Sequence, residues 1–144
     1  MNTETINRKP LPEILPETGE FRAAAKRHEL VIQTCRACGA KIYFPRLLCP
    51  HCMAEDFYWI KAKGLGVVYS YTIVHKALHE GFEDEVPYVY GIVELEEGVR
   101  MIANIVNVAL EDIFIGMAVE VIFEDRTREI SVPQFQPIRA HRNP

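Results

Sequence analysis

Serine is nearly missing from this 144-residue chain: only Ser70 and Ser131 occur, and neither stands in a G-x-S-x-G or S-x-x-K setting. That removes the common serine-nucleophile arrangements. The sequence also lacks a Walker loop, a GxGxxG fingerprint and an HExxH helix, which excludes the phosphate, dinucleotide and zinc-protease chemistry those motifs carry. No apolar run approaches the ~20 residues of a membrane-spanning helix. The opening stretch MNTETINRKPLPEILPETGE is polar and proline-broken, with no apolar core of a secretory leader, so a cytoplasmic location is expected. Persistent disulfides are uncommon there. Disorder is excluded too, because 49% of residues are hydrophobic and 25% charged. The length suits one domain, or two small ones sharing a core.

What is present is concentrated. All four cysteines lie in CRACGAKIYFPRLLCPHC, residues 35–52, as two Cys-x-x-Cys pairs with ten residues between them. Bridges within Cys35/Cys38 or Cys49/Cys52 would close small strained rings. A thioredoxin-like centre needs one such pair opening a helix after a strand. Here Gly39 and Pro50 point to two tight turns, which aim backbone N–H groups at sulfur and let two thiolates share an ion. Two such knuckles supply four soft ligands in a tetrahedron, the preferred geometry of structural Zn(II). Cys35, Cys38, Cys49 and Cys52 are therefore assigned to one zinc per chain, with iron in a rubredoxin-like site as the competing reading. His51, between two ligands, is read as a solvated side chain. A four-thiolate site has no open position for water or substrate, so it is structural. It also consumes every thiol that might serve as a nucleophile.

Along the chain, residues 1–17, rich in proline, are expected to form an extended arm. A short helix is expected over about 19–28, with Thr18 as a cap candidate and Phe21, Ala24, Ala25 and His28 near one face. A strand LVIQTC then leads into the first knuckle, and YWIKAKGLGVV is read as a glycine-containing bend. From there the pattern turns to strands at 66–75, 88–98, 99–108 and 118–125, with a weaker one at 128–138. They are β-branched and aromatic, and a tight hairpin sits at Glu96–Gly98. Some five strands in ~75 residues without a long helix predict a small antiparallel barrel of OB type, an SH3-like barrel or small sandwich being the alternatives. The fold class is mainly β: N-terminal helix and zinc ribbon over 18–63, barrel over 64–138, tail over 139–144.

Charge is uneven. Residues 22–63 hold eight Lys/Arg against three Asp/Glu, whereas residues 64–125 hold two against twelve. The bland reading is solvated faces. The sharper one is that Arg36, Lys41, Arg46, Lys61 and Lys63 make the ribbon a surface for an anion, while 79–87 is an acidic loop. His75 and His79 follow a strand into that loop and make a poor metal pair. No acidic residue has an apolar setting that would tune it for acid–base work. Tyr69, Tyr71, Tyr88 and Tyr90 recur at period two as a stacking face or one packed sheet face. A basic groove for nucleic acid is not expected on so acidic a barrel.

The ordered set of parts is itself distinctive. Phe21 precedes LVIQTCRACGAKIYFPRLLCPHC, then GLGVVYSYTIVH, VPYVYGIVELEEGVRMIANI, IGMAVEVIFED and a terminal FQPI. Over about 18–138 this resembles the zinc-ribbon/OB-fold family of acyl-CoA-associated proteins found beside thiolase-like enzymes. One departure is Phe21–Arg22, where many members have Phe-Trp. The resemblance implies a rubredoxin-like zinc ribbon on an OB-fold barrel. It also implies a non-catalytic subunit of a thiolase, of a related aldolase acting on CoA thioesters, or of a thiolase–synthase assembly. The partner in a hetero-oligomer would hold the catalytic Cys and His residues. A two-subunit thiolase of aromatic degradation, such as benzoylsuccinyl-CoA thiolase, is one such setting. The basic ribbon residues Arg36, Lys41, Arg46, Lys61 and Lys63 are then candidates for contact with CoA phosphates.

Overall fold

The computed structural model describes residues 9–138; the expectations for residues 1–8 and 139–144 fall outside them. The first helix, α1 (Gly19–Lys26), buries Phe21, Ala24 and Ala25, spaced so that one stripe faces inward. Glu20 in its first turn and Lys26 in its last complement the backbone dipole. Thr18 does not cap it. Its buried hydroxyl instead pairs with the backbone N–H and C=O of Leu15, closing the short turn that precedes the helix. The helix ends at Lys26, and His28 leaves it in the left-handed region at φ 59°.

Strands β1 (Val31–Cys35), β2 (Lys41–Ile42) and β3 (Phe57–Lys61) form a small antiparallel sheet in the order β2-β1-β3. The stretch read as a bend thus begins as a strand, with β1 and β3 paired from Val31↔Lys61 to Cys35↔Phe57. The turn itself comes at Gly64, where φ is +77° and an added Cβ would sit 2.3 Å from Val121 Cγ1. Only glycine satisfies both conditions. β1 is buried along its whole length, Gln33 included. Its side-chain amide is satisfied by the backbone of Arg46 on both sides, donating to the carbonyl at 2.7 Å and accepting the N–H at 2.8 Å. A buried polar group therefore clamps the loop between the knuckles.

The remaining strands, β4 (Leu65–Val74), β5 (Tyr88–Leu95), β6 (Arg100–Ile105), β7 (Ala118–Asp125) and β8 (Ser131–Pro137), close a barrel in the order β4-β5-β6-β8-β7. This is the five-stranded OB arrangement. All neighbours are antiparallel except β6 and β8, which meet in parallel at Ile105↔Phe135, so the barrel is not antiparallel throughout. β5 and β6 alternate inward and outward residues, burying Val89, Gly91, Val93 and Leu95 and Met101, Ala103 and Ile105. The core joins these to Val68, Val119 and Phe135, and extends through Ala62, Ile32, Leu30 and Phe21 into the helix and ribbon. The register slips between Val68 and Ser70, a bulge that leaves Tyr69 exposed while Tyr71 packs inward. Tyr88 and Tyr90 lie on the outward register of β5, so the four tyrosines do not form one face. Among the described residues no helix is long and apolar enough to cross a membrane.

Candidate metal centre and the cleft beside it

The two knuckles are built alike. In the first, Cys35 N–H donates to the Ala40 carbonyl at 2.8 Å and Gly39 N–H to the Cys35 carbonyl at 2.8 Å. In the second, Cys49 N–H donates to Ala54 at 2.9 Å and Met53 N–H to Cys49 at 2.9 Å. Each turn passes through a left-handed residue, Gly39 at φ 78° and Met53 at φ 65°. These turns aim N–H groups at sulfur, as the spacing implies; His51 N–H lies 3.4 Å from Cys49 Sγ. Each knuckle buries its first cysteine and exposes its second.

The four sulfurs all lie within 4.8 Å of one another, with Cys35–Cys52 and Cys38–Cys49 at 3.6 Å. Four sulfurs each about 2.3 Å from one ion stand about 3.8 Å apart, so the set fits a tetrahedral Zn(II). Disulfides need sulfurs at about 2.05 Å and are absent from these pairs. The backbone N–H of Cys38 draws the Cys35 thiol down to about 7 against the effect of burial, helped by the Cys52 thiol and the Ala37 N–H. Cys52 is pushed up to about 12: the Ala54 N–H favours its thiolate, but Cys35, burial and the other two sulfurs outweigh it. Neighbouring thiolates repel, and a divalent cation among them removes that repulsion. His51 is exposed and outside the sulfur set, and neither His75 nor His79 joins a metal-competent group among the described residues. His79 Nδ1 instead accepts the Gly81 N–H.

The basic ribbon residues do not converge as one group. Arg36 pairs with Asp56 at 3.2 Å and stacks over Tyr58; Lys61 faces Glu29 at 3.9 Å, and Lys63 faces Glu96 at 3.6 Å. Lys41 and Arg46 do come together, lining a cleft of about 360 Å³ between ribbon and barrel with Tyr43 and His51. Lys41 Nζ donates to the Glu97 carbonyl at 3.1 Å, and the Arg46 guanidinium has no ion-pair partner among the described residues. The Gln33 clamp fixes the backbone from which Arg46 projects. Arg100 and Glu94 form the far wall, so the lining carries three cations and one carboxylate. It lies over Tyr69 at 3.7 Å and pairs with Glu94 at 2.9 Å. Sequence reasoning passed over Arg100 because it stands in the acidic half of the chain. Being one of only two cations between 64 and 125 was the available signal.

Two profiles match in succession: the rubredoxin-like zinc ribbon domain of ChsH2 over residues 22–57, and the C-terminal OB-fold domain of ChsH2 over 59–124. A DUF35 domain-containing scaffold protein of Methanocaldococcus jannaschii is 44% identical over 105 residues, covering 72% of this chain and 73% of that protein. The chain belongs to the ChsH2/DUF35 family. A solved chain of an Ltp2-ChsH2(DUF35) aldolase superposes with a TM-score of 0.78 at 40% identity, covering 88% of this chain and 98% of that one. A "probable enoyl-CoA hydratase alpha subunit" of Thermomonospora curvata is 40% identical over 129 residues. That match takes in 90% of this chain but spans only 40% of the hydratase subunit's length. The family's ribbon and the four sulfurs coincide in one place, so the closed zinc site is the one that the ChsH2/DUF35 fold carries.

Proposed function

We propose that the chain is a zinc-bearing accessory subunit of an enzyme complex acting on acyl-CoA thioesters, with a thiolase-like catalytic partner that supplies the reacting thiol. The observation that supports the accessory role most is the likeness, over 88% of this chain and 98% of the other, to a chain of an aldolase assembly. The kinship with a hydratase alpha subunit points to the same class of substrate. The chain's own chemistry agrees, since its four thiols all face one another. Zinc held by them stiffens the ribbon. Lys41 and Arg46 then present positive charge across the cleft from Arg100, a setting suited to the phosphates of CoA. Holding the nucleotide end far from the reacting carbon orients the thioester for the partner's thiol and excludes part of its motion. Arg36, Lys61 and Lys63 do not line that cleft and contribute less to the anion site, and Arg100, paired with Glu94, contributes less than Lys41 and Arg46.

Co-expression with the neighbouring genes, followed by identification of the co-purifying protein, tests the partner. An aldolase partner is the second reading, favoured by the same structural likeness. The two differ in stoichiometry: a thiolase partner consumes free CoA as it cleaves the carbon–carbon bond, whereas an aldolase partner needs none. Arg46→Glu in the complex tests the phosphate contact. KM for the CoA substrate rises about ten- to hundredfold, while a pantetheine-truncated analogue is handled as by wild type. An equal penalty on both substrates, or dissociation of the complex, assigns Arg46 to partner docking instead.

A further inference from the structure

The outer face of the barrel carries a second built feature. OB folds in general take their ligands on the face of their second and third strands, between the first-to-second and fourth-to-fifth connections. Here those parts are β5, β6, the connection 75–87 and the connection 126–130. The chain's own arm lies there. Lys9, with its side chain only 15% exposed, pairs with Glu85 of the first connection and donates to Glu124 Oε1 at 3.1 Å. Its Nζ stands 5.6 Å from the Phe82 ring centre. Although burial works against its charge, the Glu85 and Glu124 carboxylates raise the Lys9 pKa, so it stays a cation. Arg126 Nη1, from the other connection, donates to the Pro10 carbonyl at 3.2 Å. Gln134 holds the second Glu124 oxygen at 2.7 Å, which fixes the carboxylate before any lysine arrives. Two clefts of about 300 and 250 Å³ adjoin these contacts, and Tyr88, Asn104 and Gln134 line both.

We propose that this face is a recognition groove for an extended, lysine-bearing peptide segment, and that the Lys9–Pro10 segment of the same chain is its resident ligand. Glu85 reads the lysine, and Glu124 and the Phe82 ring hold it beside the resident Arg126, whose Nε stands 3.5 Å from the same Glu124 oxygen and whose guanidinium lies 6.0 Å from the ring centre. Arg126 reads the carbonyl that follows the lysine. Proline at that next position removes a backbone N–H that would otherwise require a partner. The surrounding charge selects against the OB fold's more usual polyanions: Glu80, Glu83, Asp84 and Glu85 all lie in the 75–87 connection. The arm is thus a strap in cis, and displacing it bares a peptide-binding face.

The test uses the full, zinc-loaded chain and its Lys9→Glu variant, in which the arm is repelled by Glu85 and Glu124. A labelled peptide with the sequence of residues 1–15 binds the variant and binds wild type at least about tenfold more weakly, because wild type is already occupied. Binding weakens as salt is raised, since the contact is ionic and partly exposed. A peptide carrying the same Lys9→Glu change binds neither. Phe82→Ala in the variant weakens the peptide without altering zinc content. In NMR relaxation, the exposed Leu11 and Glu13 amides gain fast motion in the variant alone. Equal binding to wild type and variant, no binding to a variant whose arm has become mobile, or an arm that stays ordered despite Lys9→Glu would each overturn the proposal. So would capture of single-stranded DNA by the variant in place of the peptide.

Discussion

The ribbon's own buried cluster consists of Cys35, Ile42 and Cys49, whereas the barrel core, with its extension into α1 and β1, joins sixteen buried residues among those described. β2 is two residues long; β4 runs to ten. Two pieces of comparable importance to the fold therefore rest on different physics. The barrel is held by apolar burial spread over many side chains, each replaceable at modest cost. β1 is anchored in the barrel core, but the two knuckles concentrate their cohesion in one ion, because the three buried residues around them cannot offset the entropy of ordering two loops. The difference also explains where the cationic cleft sits. A surface fixed by a metal and by the Gln33–Arg46 clamp needs no large core beneath it, so Lys41 and Arg46 stay exposed.

The largest expected effect breaks the ribbon and spares the barrel. Cys49→Ser, or removal of zinc by a strong chelator, withdraws stabilisation on the order of 10 kcal/mol from the ribbon. Metal content falls to zero, and amide protection is lost over β1 to β3 but kept over β5 and β6. Loss of protection in both regions together would show that the barrel depends on the ion as well. The reverse experiment is Phe135→Ala, which empties a fully buried position where β6, β7 and β8 meet. It costs about 3–5 kcal/mol, read from denaturant midpoints, with zinc still bound in the fraction that remains folded.

The two halves were also unequally legible. β7 is found at the residues its β-branched run predicts, Ala118–Asp125, and the knuckles follow from cysteine spacing alone. β3 escaped because FYWIK is short, follows a knuckle and runs into glycines, and only its pairing along β1 makes it a strand. The parallel contact of β6 with β8 is a long-range closure that no local pattern encodes. Thr18 has a capping residue's chemistry, yet it satisfies Leu15 instead, because the turn before the helix offers nearer partners. In the candidate site, Lys41 and Arg46 were readable as cations but not as neighbours. Their meeting with Arg100 depends on how the ribbon lies against the β5–β6 hairpin.

A smaller change sharpens the comparison inside the ribbon itself. The knuckles are near copies, but the second places Met53, 65% exposed, in the left-handed conformation that Gly39 takes freely in the first. Met53→Gly relieves about 1 kcal/mol of backbone strain and slows zinc loss to a competing chelator. Gly39→Ala shifts chelator competition the other way by a similar amount. No change in either variant would mean that the metal alone dictates both turns.

The most direct measurement is reconstituted turnover of an acyl-CoA substrate by the zinc-loaded chain alone, by its co-purifying partner alone, and by the two together. As an accessory subunit, the chain shows no turnover alone, the partner alone shows reduced turnover, and full activity appears only when both are present. Zinc-stripped chain fails to restore the partner. Turnover by the isolated chain, or a partner fully active without it, would contradict the accessory role.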